Sequence, residues 1–278
     1  MSRILSGKKL ADSIYQKIEE EIKQLDKKPK MIIYTSEPDK ATKSYMKSIS
    51  KQGEKLNIEI IEREASKEPE KDIEELNDDV TVDGVMVMHP LKNVPHYLIA
   101  EKLKAEKDIE GRTAKNFGWL ALSRPIFKPP TAEAVMEILD YYNIDLKGKD
   151  VTIVGRSTTV GKPLALLMLK KGVDATVTVC HSRTQYIGNK MKNADILVTA
   201  VGKANFVSEK EVKRESTVID VGINFLNGKM VGDVNYDQVK DKVSNITPVP
   251  GGVGTVTTAL LFDHLVKAAS GNFGDNDE

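Results

Sequence analysis

Short β-branched runs alternate with longer, charged, helix-permissive segments along almost the whole chain. This alternation constrains the fold more than any other feature. The runs "KMIIYT" (30–35), "IEIIER" (58–63) and "DGVMVMH" (83–89) read as short buried strands. Between them lie "DKATKSYMKSISKQGEKL" and "SKEPEKDIEELN", and before them "GKKLADSIYQKIEEEIKQL", where Leu10, Ile14, Ile18 and Ile22 recur every four residues. A second series follows: "DVTIVG", "ATVTVCH", "ADILVTAVG" and "STVIDVGIN". Strands that alternate with helices predict an α/β fold, a parallel sheet covered by helices.

The seam between the two series falls at "RPIFKPPTAEA". Pro125, Pro129 and Pro130 break any helix or central strand there. Thr131 reads as the N-cap of the next helix, with Glu133 and Ala134 in its first turn. The expected division is 1–125 and 126–254, then an apolar helix over 255–270 and a frayed acidic tail over 271–278. A length of 278 residues suits two domains. Lys plus Arg and Asp plus Glu are both 41, so bulk charge points to neither nucleic acid nor an anionic membrane. The start "MSRILSGKKL" lacks a signal-peptide core, no apolar run nears ~20 residues, and Cys180 is the single cysteine. The expectation is a cytoplasmic protein.

"TIVGRSTTVGKPLALLML" (152–169) has the outline of a nucleotide-binding turn, a strand feeding a glycine turn and then a helix. Its spacing fits neither common fingerprint. Ser157 stands where G-x-G-x-x-G needs glycine, and Pro163 follows Lys162 where a P-loop needs Ser or Thr. Gly155 lets backbone approach a ligand, and the helix start near 160–163 offers unpaired N–H groups. A tight strand-to-helix turn that binds nothing is equally compatible. The next strand ends in "HSRT" (181–184), with no carboxylate to take an NAD ribose. Ser182 and Arg183 stand there, with Arg156 in the first turn, and arginine forks suit phosphate oxygens. This pattern predicts NADP over NAD. Gly202 and the run Gly222, Ile223, Asn224 mark further strand ends along the same edge.

Taken together, "VGRSTTVGKP", "TVCHSRT", "VIDVGIN", "MVGDVNYD" and above all "ITPVPGGVGTVT" resemble the methylenetetrahydrofolate dehydrogenase/cyclohydrolase family. "ILSGKKLADSI", "DGVMVMHPL" and "EKDIEGRTAKNFGWL" extend the resemblance over nearly the whole chain. It implies a folate-binding catalytic domain (1–125, joined by the returning helix 255–270), a Rossmann-like NADP domain (126–254), a cleft between them and a homodimer. With the strand-end reading, the expected NADP contacts are Gly155, Arg156, Ser157, Ser182, Arg183, Gly202, Ile223 and Thr257. Tyr45, Glu110, Pro250, Gly251 and Gly252 are expected against the tetrahydrofolate derivative. The family performs two steps. A hydride leaves the methylene carbon for the nicotinamide, and the methenyl product is then hydrolysed to the formyl compound.

Three positions depart from the family pattern. The family has Tyr and Lys four residues apart on one helix face; here Tyr45 is followed by Ile49, while Lys47 and Lys51 lie on other faces. The family's strand glutamine is Met88, and its D-V-D-G reads "DIEG", with Glu110 for the second aspartate. His89, next to Met88, faces the other side of the strand unless the strand shifts by one residue. The changes gather at the folate end, so the expectation is dehydrogenase activity with weak or absent cyclohydrolase. Another one-carbon pterin carrier, or an NADP-binding homologue without chemistry, are the alternatives. His96 and His264 read as structural or solvated, and no spacing suggests a metal.

Overall fold

The computed structural model describes residues 2–88, 91–92 and 94–273, with the backbone alone at Ala41 and His96. In chain order the strands are β1 (Arg3–Ile4), β2 (Lys30–Thr35), β3 (Glu59–Glu64), β4 (Gly84–Val87), β5 (Asp150–Val154), β6 (Thr176–Cys180), β7 (Ile196–Thr199), β8 (Thr217–Asp220), β9 (Asn224–Leu226), β10 (Lys229–Val231) and β11 (Asn245–Ile246). The helices are α1 (Lys8–Ile22), α2 (Lys40–Lys55), α3 (Pro69–Asp78), α4 (His96–Lys102), α5 (Ala114–Ala121), α6 (Pro130–Tyr141), α7 (Gly161–Leu169), α8 (Ile187–Asn193), α9 (Tyr236–Val239) and α10 (Val253–Ser270).

These elements form two compact units. One holds Met1–Asp12 with Thr131–Thr257, the other Ser13–Pro130 with Thr258–Glu278. The second has a parallel sheet in the order β3-β2-β4. Central β2 is buried from Met31 to Thr35, as its unbroken apolar run requires, whereas edge β3 leaves Ile61 41% exposed. Helices close this sheet through one apolar cluster that includes Ile18, Ile33, Ile49, Met88, Phe262 and Leu265.

The first unit has a parallel sheet in the order β1-β11-β8-β7-β5-β6. β5 lies between β6 and β7, so the connections run outward to β6 and then cross back to the other side. That is a topological switch point, where open α/β sheets leave a crevice at the carboxyl ends of their strands. The β9–β10 hairpin turns at Asn227 and Gly228, with φ of 51° and 75°. Both φ values are positive, as the tight turn that joins twisted strands needs.

Two expectations need correction. Thr131 does not cap α6, because Pro130 already occupies the first helical turn; its fixed φ suits that position and its missing N–H costs nothing there. The chain start groups with the larger sheet, not in one unit with the residues up to 125. β1 pairs with β11, Gly7 N donates to Gly251 O at 2.9 Å, and the Tyr142 hydroxyl donates to Ser6 O at 2.9 Å. Backbone pairing therefore ties Met1–Asp12 to the larger sheet.

Candidate functional site

The glycine turn after β5 sits at the switch point. Val154 pairs with Cys180, and Gly155 N donates to Cys180 O at 2.9 Å. Arg156 and Ser182 thus each stand two residues beyond the same paired position on neighbouring strands, and both are exposed. The unusual glycine spacing has a packing cause. At Gly155, with φ of 129°, an added Cβ lies 2.4 Å from Ala200 O; at Gly161 it lies 2.1 Å from Gly155 O. The first glycine lets the end of β5 meet the end of β7, and the second seats α7 on the turn. No glycine is needed at 157, where the Ser157 hydroxyl accepts from Val160 N at 3.1 Å. Ser182 and Arg183 lie in a loop held by His181, whose N donates to the Thr184 hydroxyl and whose Nδ1 accepts from Arg183 N.

The other strand ends are held by two buried carboxylates that the sequence reading missed. Asp233 accepts from Val201 N (2.7 Å), Gly202 N (3.2 Å), Lys203 N (2.7 Å) and Asn224 Nδ2 (3.0 Å). Asp220 accepts from Gly222 N (3.0 Å), Asp233 N (3.0 Å) and Val234 N (2.8 Å). Together they fix the loops that carry Gly202 and Ile223, the latter 55% exposed. The one available signal was an aspartate closing the apolar run "STVID" and another inside "VGDV", each too valuable to bury without partners.

Burial pushes the Asp220 carboxyl up from 3.8 to about 6, against the N–H groups that favour its anion and with help from the Asp233 charge. The folded pKa is raised, so Asp220 adds stability below the unfolded value of 3.8 and loses it as pH rises through about 6. The loss amounts to about 3 kcal/mol. Urea unfolding from pH 4.5 to 7.5, a window that opens above the unfolded value, should show the wild type losing about 2 kcal/mol of this relative to Asp220→Asn. Parallel curves for the two proteins count against the assignment.

The remaining expected residues of this unit lie further along the chain. Pro250 is exposed, and Gly251 accepts from Gly7 N and, at 3.4 Å, from the Ser6 hydroxyl. Half-buried Thr257 turns its hydroxyl back onto Val253 O at 3.0 Å, inside α10.

Tyr45, Ile49, Met88 and Glu110, expected at the folate end, belong to the other unit. α2 begins at Asp39, whose carboxylate accepts from Thr42 N at 2.7 Å. Tyr45 follows on its first turns and is 39% exposed, while its hydroxyl is hydrogen-bonded with Thr258. Burial, then the Glu110 charge, push the Tyr45 hydroxyl up to about 12, while a hydrogen bond with Thr258 opposes them. Tyr45 is therefore a neutral phenol at any working pH. One turn on, Ile49 is 1% exposed and part of the core, as is Met88 at 7%. These two stand where the family has lysine and glutamine, carry no titratable proton and are packing residues. Lys47 and Lys51 are exposed. His89 lies outside the described residues.

Glu110 lies close enough to Tyr45 for its charge to act on that hydroxyl. Its Oε2 accepts from Val87 N at 2.8 Å and lies 3.7 Å from Arg112 Nη1. Burial pushes this carboxyl up; the Arg112 charge and the Val87 N–H oppose it, and Asp108 adds to the rise. Arg112, beside Glu110, and Thr258, hydrogen-bonded with the Tyr45 hydroxyl, were passed over by the sequence reading. His264 is 2% exposed, its Nδ1 2.8 Å from Ile109 O and its ring 5.1 Å from Phe127, a structural role. Among the described residues no three His, Cys, Asp or Glu side chains group to hold a metal, and no helix is long and apolar enough to cross a membrane.

Family comparison gives this arrangement its context. Residues 129–273 match the model of the tetrahydrofolate dehydrogenase/cyclohydrolase NAD(P)-binding domain, and residues 5–110 match that family's catalytic domain. The chain belongs to the tetrahydrofolate dehydrogenase/cyclohydrolase family. It is 54% identical to the bifunctional protein FolD of Kosmotoga olearia over 97% of this chain and 98% of that protein. The crystal structure of the Campylobacter jejuni FolD methylenetetrahydrofolate dehydrogenase/cyclohydrolase superposes with a TM-score of 0.92, at 35% identity and covering 98% and 99% of the two chains. The Trypanosoma brucei enzyme, crystallised with NADP cofactor and inhibitor, superposes at 0.89 with 29% identity and 97% coverage of both. The NAD(P)-binding match contains every glycine-bearing strand end described above.

Proposed function

We propose that the chain is an NADP-dependent 5,10-methylenetetrahydrofolate dehydrogenase, forming the methenyl compound by hydride transfer, and that it hydrolyses that product poorly. Family membership supports the reaction class. The supply of polar groups at the folate end carries the distinction between the two steps. Tyr45 and Glu110 are present and partly accessible, while Ile49 and Met88 are shut in an apolar core.

Hydride loss from a carbon flanked by two nitrogens needs little from side chains beyond alignment, because the nitrogen lone pairs stabilise the cation. Tyr45 offers a ring face and a neutral hydroxyl, and Glu110 offers an acceptor for the N–H edge of a pterin. Pro250, Gly251 and Gly252 add backbone groups for the folate. Water attack and ring opening in the second step need a group that shuttles protons, worth about 10²–10⁴ in rate. Neither Ile49 nor Met88 can be that group.

The dinucleotide reading rests on the strand ends. Gly155, Gly202 and Ile223 line the switch-point edge, Thr257 lies near its end in sequence, and Ser157 holds the turn. Arg156, Ser182 and Arg183 follow strands that end without a carboxylate, which fits an adenosine phosphate. NADP supplies the hydride acceptor. The deciding assay measures methylenetetrahydrofolate-dependent nicotinamide reduction with NADP and with NAD. Strong preference for NADP is expected, and Arg156→Ala should raise KM for NADP about 10–100-fold while leaving that for NAD nearly unchanged. Equal use of both dinucleotides by the wild type overturns the NADP assignment. A homodimer is part of the same reading, and sedimentation velocity tests it.

A further inference from the structure

β4 is an edge strand of its three-stranded sheet, so its outer N–H and C=O groups have no neighbouring full strand. The segment from 107 to 113 serves that edge. Val85 N donates to Lys107 O at 2.7 Å. Two residues on, side chains take over: Val87 N donates to Glu110 Oε2 at 2.8 Å, and Val87 O accepts from Arg112 Nη1 at 3.4 Å.

The segment itself is stiff. Asp108, 2% exposed, accepts from Thr113 N at 2.6 Å and from Asn116 Nδ2 at 2.9 Å. Gly111, with φ of 62°, turns the chain where an added Cβ would lie 2.5 Å from Phe127 O. That turn returns Glu110 and Arg112 to one strand end, with Nη1 3.7 Å from Oε2. Both contacts engage Oε2; among the described residues no hydrogen bond engages Oε1, which is left to accept from a bound molecule.

We propose that Arg112 is a positioning residue, whose guanidinium keeps Glu110 an anion with Oε1 free to accept N–H groups of a pteridine. The pteridine part rests on the folate reading above. The groups acting on Glu110 are Arg112 and Asp108 from its own segment, the Val87 N–H from β4 and the Tyr45 hydroxyl from α2. Burial and Asp108 favour the neutral acid; Arg112 supplies the opposing cation. Ile49, one turn from Tyr45, carries no charge and is buried, so that position supplies no cation to Glu110. Closing the β4 edge alone does not require a charge, since Val87 O asks only for a donor.

The test follows the Glu110 carboxyl directly. Carbon-13 NMR of glutamate-labelled protein, with the signal assigned by its loss in Glu110→Gln, gives the titration midpoint in wild type, Arg112→Lys and Arg112→Gln. Arg112→Gln should raise the midpoint by about one pH unit or more, and Arg112→Lys should fall between. With substrate, Arg112→Gln should raise KM for methylenetetrahydrofolate about tenfold near neutrality and change kcat little, and the gap should close as pH rises. Identical midpoints in all three proteins overturn the proposal, as does a KM ratio that stays flat with pH. Should the midpoints move while methylenetetrahydrofolate drives no nicotinamide reduction in wild type, the Arg112–Glu110 pairing is supported and only the substrate reading falls.

Discussion

Asp233→Ala is expected to lower the melting temperature of the nucleotide-binding unit by about 10 °C and to abolish measurable NADP binding. Asp233 is fully buried and accepts four hydrogen bonds, three from the consecutive N–H groups of Val201, Gly202 and Lys203. Removing the acceptor strands those donors away from water and cuts the tie between the β7 end and Asn224. Breaking such a buried charged network costs about 3–5 kcal/mol, and at roughly 3 °C per kcal/mol this gives the expected shift. Asp233→Asn keeps the volume but turns an N–H donor toward other donors, so it should lose about 2 kcal/mol rather than recover the wild type. Calorimetry and dinucleotide titration check both variants. Melting within about 2 °C of wild type for Asp233→Ala would show that the loops hold themselves.

Ile49→Lys, the substitution that writes the family residue back, is expected to destabilise the protein by about 3 kcal/mol or more and to leave hydrolysis near the buffer rate. Ile49 is 1% exposed among apolar side chains, so the new ammonium has neither water nor a defined partner. Burial drives such a lysine toward its neutral form. Met88 beside it in the same cluster offers no strong hydrogen bond. Denaturant unfolding gives the first quantity. Loss of methenyltetrahydrofolate absorbance, in wild type and variant against a blank, gives the second. Wild-type loss far above the blank would overturn the claim that hydrolysis is weak. Full hydrolysis in Ile49→Lys, with stability intact, would mean that the core opens readily at α2.

Regular elements could be read from the chain where one periodicity dominates. β2 matches its sequence run residue for residue, because a fully buried strand needs an unbroken apolar stretch. α10 matches within two residues at its start, since its apolar surface can be accommodated only in a core. The β9–β10 hairpin was within reach through its Asn227-Gly228 pair, but the strand reading stopped at Asn224 and went no further. β1 was not within reach: two residues carry no period, and only pairing with a strand some 240 positions later defines it.

The sequence by itself determined the α/β class, the glycine-marked strand ends and the family, because these depend on local periodicity and on motifs contiguous in the chain. Tertiary structure alone decided that Asp220 and Asp233 brace those ends, that Met1–Asp12 joins the larger sheet, that Ile49 and Met88 are core, and that Arg112 stands over Glu110. Each of these depends on burial and on partners distant in sequence or returned by a turn. Burial is what turns an ordinary aspartate into a brace and an ordinary arginine into the group that sets a neighbour's charge.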